Sequence, residues 1–175
     1  TEPNNEGNSG IAYTITDETF HNDKVYYRNE TSKDTTKYSG WTWPIPKNEF
    51  DYGDVFTLSF YAKGTSNAEI RTYFAGASGY ISNRRISSNS DVDADKTIGS
   101  YGDGATRFHL TSDWKRYYVT YQLHTTATTP TQNKSIHIRT FGASTDIEFY
   151  ISNVKLERGY YATDYDRHTR DNEPL

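Results

Sequence analysis

The 175-residue sequence contains no cysteine and no methionine. Without cysteine there is no disulfide framework, no thiolate metal site and no thiol nucleophile. A chain of this length can bury a core without such staples, and the length suits one domain. Without methionine there is no initiator residue, so the chain is expected to be a piece of a longer polypeptide, or processed. No apolar run approaches the ~20 residues needed to cross a bilayer, and no signal-peptide h-region stands out, so membrane insertion is not expected. Positive charge is also in short supply. A net charge of -4 and a pI near 5.7 argue against a phosphate-backbone binder, so no nucleic-acid partner is expected. No stretch repeats its apolar residues with a 3.6-residue period, so helix should be scarce.

Aromatics are what the chain has in plenty. Only 33% of residues are hydrophobic, yet 15% are aromatic, with 16 Tyr, 8 Phe and 3 Trp. Tyrosine offers a flat apolar face and a hydroxyl at low rotamer cost, which suits wet, polar ligands. The plainer reading is that Tyr, Phe and Thr favour strands. Both apply to this chain.

Period-two alternation marks the strands. In residues 55–64, Phe56, Leu58, Phe60 and Ala62 share one face, while Thr57, Ser59, Tyr61 and Lys63 share the other. Residues 114–123 and 147–159 alternate likewise, as do 70–74 and 135–141. Shorter strands are expected at 11–16 and 24–28. Pro44 gives residues 41–45 the character of an edge or a strand end. Residues 75–104 read as a long loop, functional or holding a short strand of its own. The expected organisation is an amino-terminal arm over 1–10, one domain over 11–165 and a charged linker stub over 166–175. Eight or more short strands with such turns predict an all-β sandwich of two antiparallel sheets.

Three segments in order carry a resemblance. They are the FTLSFYAKG strand at 56–64, the W-x-R-Y strand beginning at Trp114, and the closing FYISNVKLERG strand at 149–159. Together they resemble family-4-type carbohydrate-binding jelly rolls, of the kind found in tail and baseplate proteins of phages infecting Gram-positive bacteria. The resemblance selects the jelly roll among sandwiches. It implies an extracellular, virion-borne, non-catalytic module that binds cell-surface polysaccharide alongside other tail proteins.

A sugar presents a flat patch of C–H groups and a rim of hydroxyls that donate and accept. Aromatic rings stack on the first, and planar or bidentate side chains satisfy the second. The non-core strand faces offer that mixture in Tyr61, Arg71, Tyr73, His137 and Arg139. Flanking segments add Trp41, Trp43, Tyr80, Arg84, Arg85 and Tyr101. Arg71 and Arg139 could equally be a solvated face paired with acids. Trp41 and Trp43 point the same way in a strand, as core lid or as sugar platform. Trp114 is expected to pack structurally.

Asp91, Asp93 and Asp95 match the start of an EF-hand loop, but the glycine and bidentate-acid positions fall on Lys96 and Gly102. The motif therefore fails, and no cofactor is expected from it. The resemblance alone implies a structural calcium ion near the amino terminus and Asn153. Serine-nucleophile, zinc and phosphate-loop motifs are absent. Tyr73, His137 and Arg139 match the residue types of jelly-roll polysaccharide lyases, which leaves that reading open. The residue pattern is also compatible with a structural or adaptor domain of a baseplate, and with a binding module appended to a secreted glycoside hydrolase.

Overall fold

The computed structural model describes residues 4–7, 13–30, 38–51, 53–76, 79–80, 83–92, 105–123, 134–141 and 146–164. In chain order the strands are β1 (Asn4–Gly7), β2 (Tyr13–Phe20), β3 (Asp23–Glu30), β4 (Tyr38–Ile45), β5 (Val55–Gly64) and β6 (Glu69–Gly76). They continue as β7 (Gly79–Tyr80), β8 (Asn83–Ser88), β9 (Thr106–His109), β10 (Lys115–Leu123), β11 (Lys134–Phe141) and β12 (Ile147–Arg158). The first sheet runs β1-β4-β11-β6-β7, with β9 also paired to β6. The second runs β2-β3-β12-β5-β10-β8. All pairings are antiparallel, and no helix occurs among the described residues. This is the expected jelly-roll sandwich.

Asn4–Gly7, expected in the arm, form β1 against Ser39–Thr42 of β4. Residues 166–175 lie outside the described residues. The partners of β1 stop at Thr42, two positions short of Pro44. Among the described residues, β4 at Pro44, which has no N–H to donate, is bonded to β11 alone. The long stretch after β6 holds two short strands, β7 and β8, and they join different sheets.

The inward faces meet in one core. Phe56, Leu58, Phe60 and Ala62 of β5 lie in it with Phe149 and Ile151 of β12, and Ile136, Ile138, Ile70, Phe74 and Phe108 come from the other sheet. Strand β12 keeps its apolar side inward through a bulge. Its register shifts between Ser152 and Lys155, where Asn153 takes a φ of 52°. The extra residue changes the inward set from odd to even positions, so Val154 and Leu156 pack against the core.

Tyr121 spans the sandwich from β10. Its hydroxyl donates to the Thr72 carbonyl at 2.8 Å and meets Thr106 Oγ1 at 2.9 Å. Burial pushes this phenol up to about 12, against an ordinary value of about 10. Between those values the unfolded chain gives up a proton that the folded chain keeps. Stability should therefore be intact below pH ~10 and fall as pH rises toward ~12, by about 2–3 kcal/mol from this group. Urea midpoints across a pH series check it. The wild-type chain should lose stability above pH ~10 more steeply than Tyr121→Phe.

Candidate functional site

The outer face of the first sheet gathers four of the expected residues. Strand register sets Arg71 of β6 directly opposite Arg139 of β11 on one side, and opposite Arg107 of β9 on the other. The next row pairs Tyr73 with His137, and His137 with Thr42 of β4. Directly opposed residues share a face and stand ~5 Å apart at Cα. Three guanidinium-bearing residues thus form one row across three strands, beside a tyrosine–histidine pair. The side chain of Tyr73 lies outside the described residues.

Glu69 ties two of these arginines. Arg71 Nε donates to Glu69 Oε1 at 2.8 Å, and Arg107 Nη1 lies 3.9 Å from Oε2. His137 Nε2 meets Ser135 Oγ at 2.9 Å. His137 and Arg139 are each only 8% exposed, so they floor the face rather than project from it. At the end of β9, Asp91 accepts from the His109 backbone N–H at 3.0 Å and faces its Nδ1 at 3.2 Å. Burial would raise the Asp91 carboxyl, but these contacts outweigh it and hold its pKa below the ordinary value. Glu69 thus holds Arg71 and Arg107, and with Arg139 they set forked N–H donors in one row, suited to vicinal hydroxyls or to carboxylate and phosphate oxygens.

Gly40 belongs to this face for a steric reason. It sits opposite Arg139, and a Cβ there would lie 2.1 Å from the Ile138 carbonyl oxygen and 2.5 Å from Arg139 Cα. Only glycine lets β4 approach β11 so closely. From the opposite sheet, Arg28 Nη2 donates to the Gly40 carbonyl at 2.5 Å.

Other expected site residues fall elsewhere. Trp41 is fully buried, with edge contacts to Tyr26 and Phe149 at 6.2 and 5.1 Å between ring centres. It pairs with Ile138 in the inward row and is core, not platform. Trp43 follows it inward and lines a cavity of about 520 Å³ between the sheets with Phe56, Ile136, Val154 and Leu156. Tyr61 does face outward, but from the second sheet, so it does not join Arg71. Period two separates inward from outward without saying which of two sheets a strand joins. Tyr61 packs near Phe20 at 5.1 Å, and Phe20 stacks on Trp114 at 4.3 Å, giving Trp114 its expected structural role. Arg84 and Arg85 lie on β8, in the second sheet as well. Tyr80 of β7 pairs with Ala75, extending the first sheet at the β6 edge. The side chains of Tyr80 and Arg84, and all of Tyr101, lie outside the described residues.

No group of three or more His, Asp or Glu side chains able to hold a metal ion occurs among the described residues. Asn153 is buried at 2% exposure and its side-chain oxygen, a type of ligand that calcium accepts, has no hydrogen-bond partner among the described residues. Residues 1–3 and 8–12 of the amino-terminal region expected to share the ion lie outside the described residues.

Sequence reasoning missed Arg107, although its alternation with Phe108 placed it on an outward face. It also missed the segment after β12. There Gly159, at a φ of 113°, turns the chain back across β5 and β10. Thr57 Oγ1 donates to the Gly159 carbonyl at 2.8 Å, and Arg116 Nη1 reaches Asp164 at 3.3 Å. Two tyrosines directly after a glycine were the available signal.

Neither a protein-family model nor a curated protein matches the sequence. Solved structures match it in shape. A family 4 carbohydrate-binding module (CBM4) matches with a TM-score of 0.51 at 18% identity, over 86% of this chain and 79% of that one. The family 11 carbohydrate-binding module of the cellulosomal cellulase Lic26A-Cel5E of Clostridium thermocellum gives 0.50 at 16%, over 94% and 92%. The enzymatically active domain of tailspike protein 4 of bacteriophage CBA120 gives 0.52 at 13%, over 90% of this chain and 19% of that one. The chain has the β-sandwich fold of carbohydrate-binding modules.

Proposed function

We propose that the chain is a non-catalytic carbohydrate-binding module of a phage tail or baseplate protein, which holds cell-surface polysaccharide on the outer face of its first sheet. The observation that carries this reading is the cross-strand row Arg139–Arg71–Arg107 beside Tyr73 and His137. Forked donors at fixed spacing match the rim of a sugar, and an adjoining aromatic residue type matches its C–H face. The shared sandwich of the family 4 and family 11 modules supports the saccharide class. The same fold within a phage tailspike supports an extracellular, virion setting among other tail proteins. One module would bind weakly, and several copies on a particle would gain through effective concentration.

Retention tests it. The chain alone should be held by host cells or purified wall polysaccharide, and should release neither reducing ends nor unsaturated sugars. One observation favours a second reading, a polysaccharide lyase. Tyr73 stands opposite His137, with Arg139 on the same face, which places a candidate base beside a neutralising cation. Unsaturated product that disappears in His137→Ala would decide for the lyase and against the binding module.

A further inference from the structure

We propose that the second sheet carries a separate pocket for a short, uncharged saccharide, formed by β8, β10 and the segment that follows β12. The proposal rests on the saccharide class argued above and adds a second place to hold it. A cavity of about 540 Å³ opens on the outer face of this sheet, lined by Ser87, Asn89, Arg116, Tyr118, Tyr160 and Tyr161. Small-molecule pockets commonly fall within about 300–1,000 Å³. Among the described residues, the large hydrophobic side chains that stand exposed are Tyr160 at 56% and Tyr161 at 83%, and both belong to this cavity. Exposed rings gathered at one opening mark a recognition surface. Their hydroxyls, with those of Tyr118 and Ser87, supply groups that donate and accept in turn, as sugar hydroxyls do.

The walls are fixed before any ligand arrives. Asn89 Nδ2 donates to the Arg116 carbonyl at 2.9 Å, and its Oδ1 accepts from the Tyr118 N–H at 2.8 Å, which locks β8 to β10. On the other side, the Thr163 N–H donates to Glu157 at 3.0 Å, and Lys155 Nζ reaches the Asp164 carbonyl at 3.3 Å. Such a scaffold spares a ligand the entropy of ordering its site. Charge decides the ligand class. Among the described residues of the lining, Arg116 is the one ionic group, and it is paired with Asp164 at 3.3 Å, so the pocket is electrically balanced. That sets it apart from the arginine row on the first sheet.

The test is an amide-resolved NMR titration of the chain with three probes: a mixed-linkage β-1,3-1,4-glucotetraose, chitotetraose and lactose. The expected result is a saturable set of shifts at Ser87, Asn89 and Tyr118 with at least one probe. Tyr161→Ala, at a site too exposed to carry the fold, should weaken that set about tenfold and leave shifts at Arg71, His137 and Arg139 unchanged. Shifts confined to Arg71, His137 and Arg139 would overturn the second pocket while upholding the first-sheet site. Shifts at neither face with any probe would overturn both. Pocket shifts undiminished in Tyr161→Ala would also sink the proposal, because the ring that defines the opening would then be irrelevant.

Discussion

Trp41→Ala is expected to lower the unfolding free energy by about 3–5 kcal/mol, the range for emptying a large aromatic site in a core. The indole has no exposed surface and touches aromatic residues contributed by β3 and β12 of the facing sheet. It also lies 5.5 Å from the guanidinium of Arg28, a side chain only 2% exposed. Removing the ring leaves a cavity and strips a buried cation of its π face, two costs that add. Urea denaturation should show a lower midpoint with little change in slope. A loss under about 1 kcal/mol would mean that the indole is not packed between the sheets.

The second large effect concerns binding. Arg71→Ala combined with Arg139→Ala should abolish retention on wall polysaccharide, since each stripped donor set costs about 1–3 kcal/mol. Arg71→Lys separates the causes. It keeps the charge but loses the planar fork, and it should bind nearly as poorly as Arg71→Ala if paired donors are what the ligand needs. Because Arg139 is nearly buried, a near-ultraviolet dichroism spectrum must show that the double variant still folds. A folded double variant that binds like the wild type would remove this face from consideration.

The strands were largely legible because the second sheet has one clean alternation after another. Phe56, Leu58 and Phe60 face inward as their spacing requires, and so do Phe149 and Ile151. What alternation left open was membership. Tyr61 and Tyr73 carry the same outward signal, yet belong to different sheets, because pairing is decided by contacts far apart in sequence. Residues 147–159 also looked like one uninterrupted alternation. The inward positions in fact change phase at Asn153, and the sequence shows it, since apolar residues fall at 147, 149 and 151 and then at 154 and 156. At the site, Arg71 and Arg139 were found by residue type and facing. Their cross-strand alignment with Arg107 needed the register.

The two ends of the described chain are anchored very differently, and this gives the domain a mechanical polarity. Among the described residues, β1 is bonded to β4 alone, through four residue pairs at a sheet margin. β12 is bonded to β3 along its first half and to β5 along most of its length. Tension entering through β1 has one short row of hydrogen bonds to peel away. Tension entering through β12 meets the row to β5 alone over Lys155–Arg158, then the rows to β3 and β5 together over Phe149–Ile151, and must drag Phe149, Ile151 and Leu156 through the interior. A tether on the carboxyl side therefore bears load that the same tether on the amino side would not.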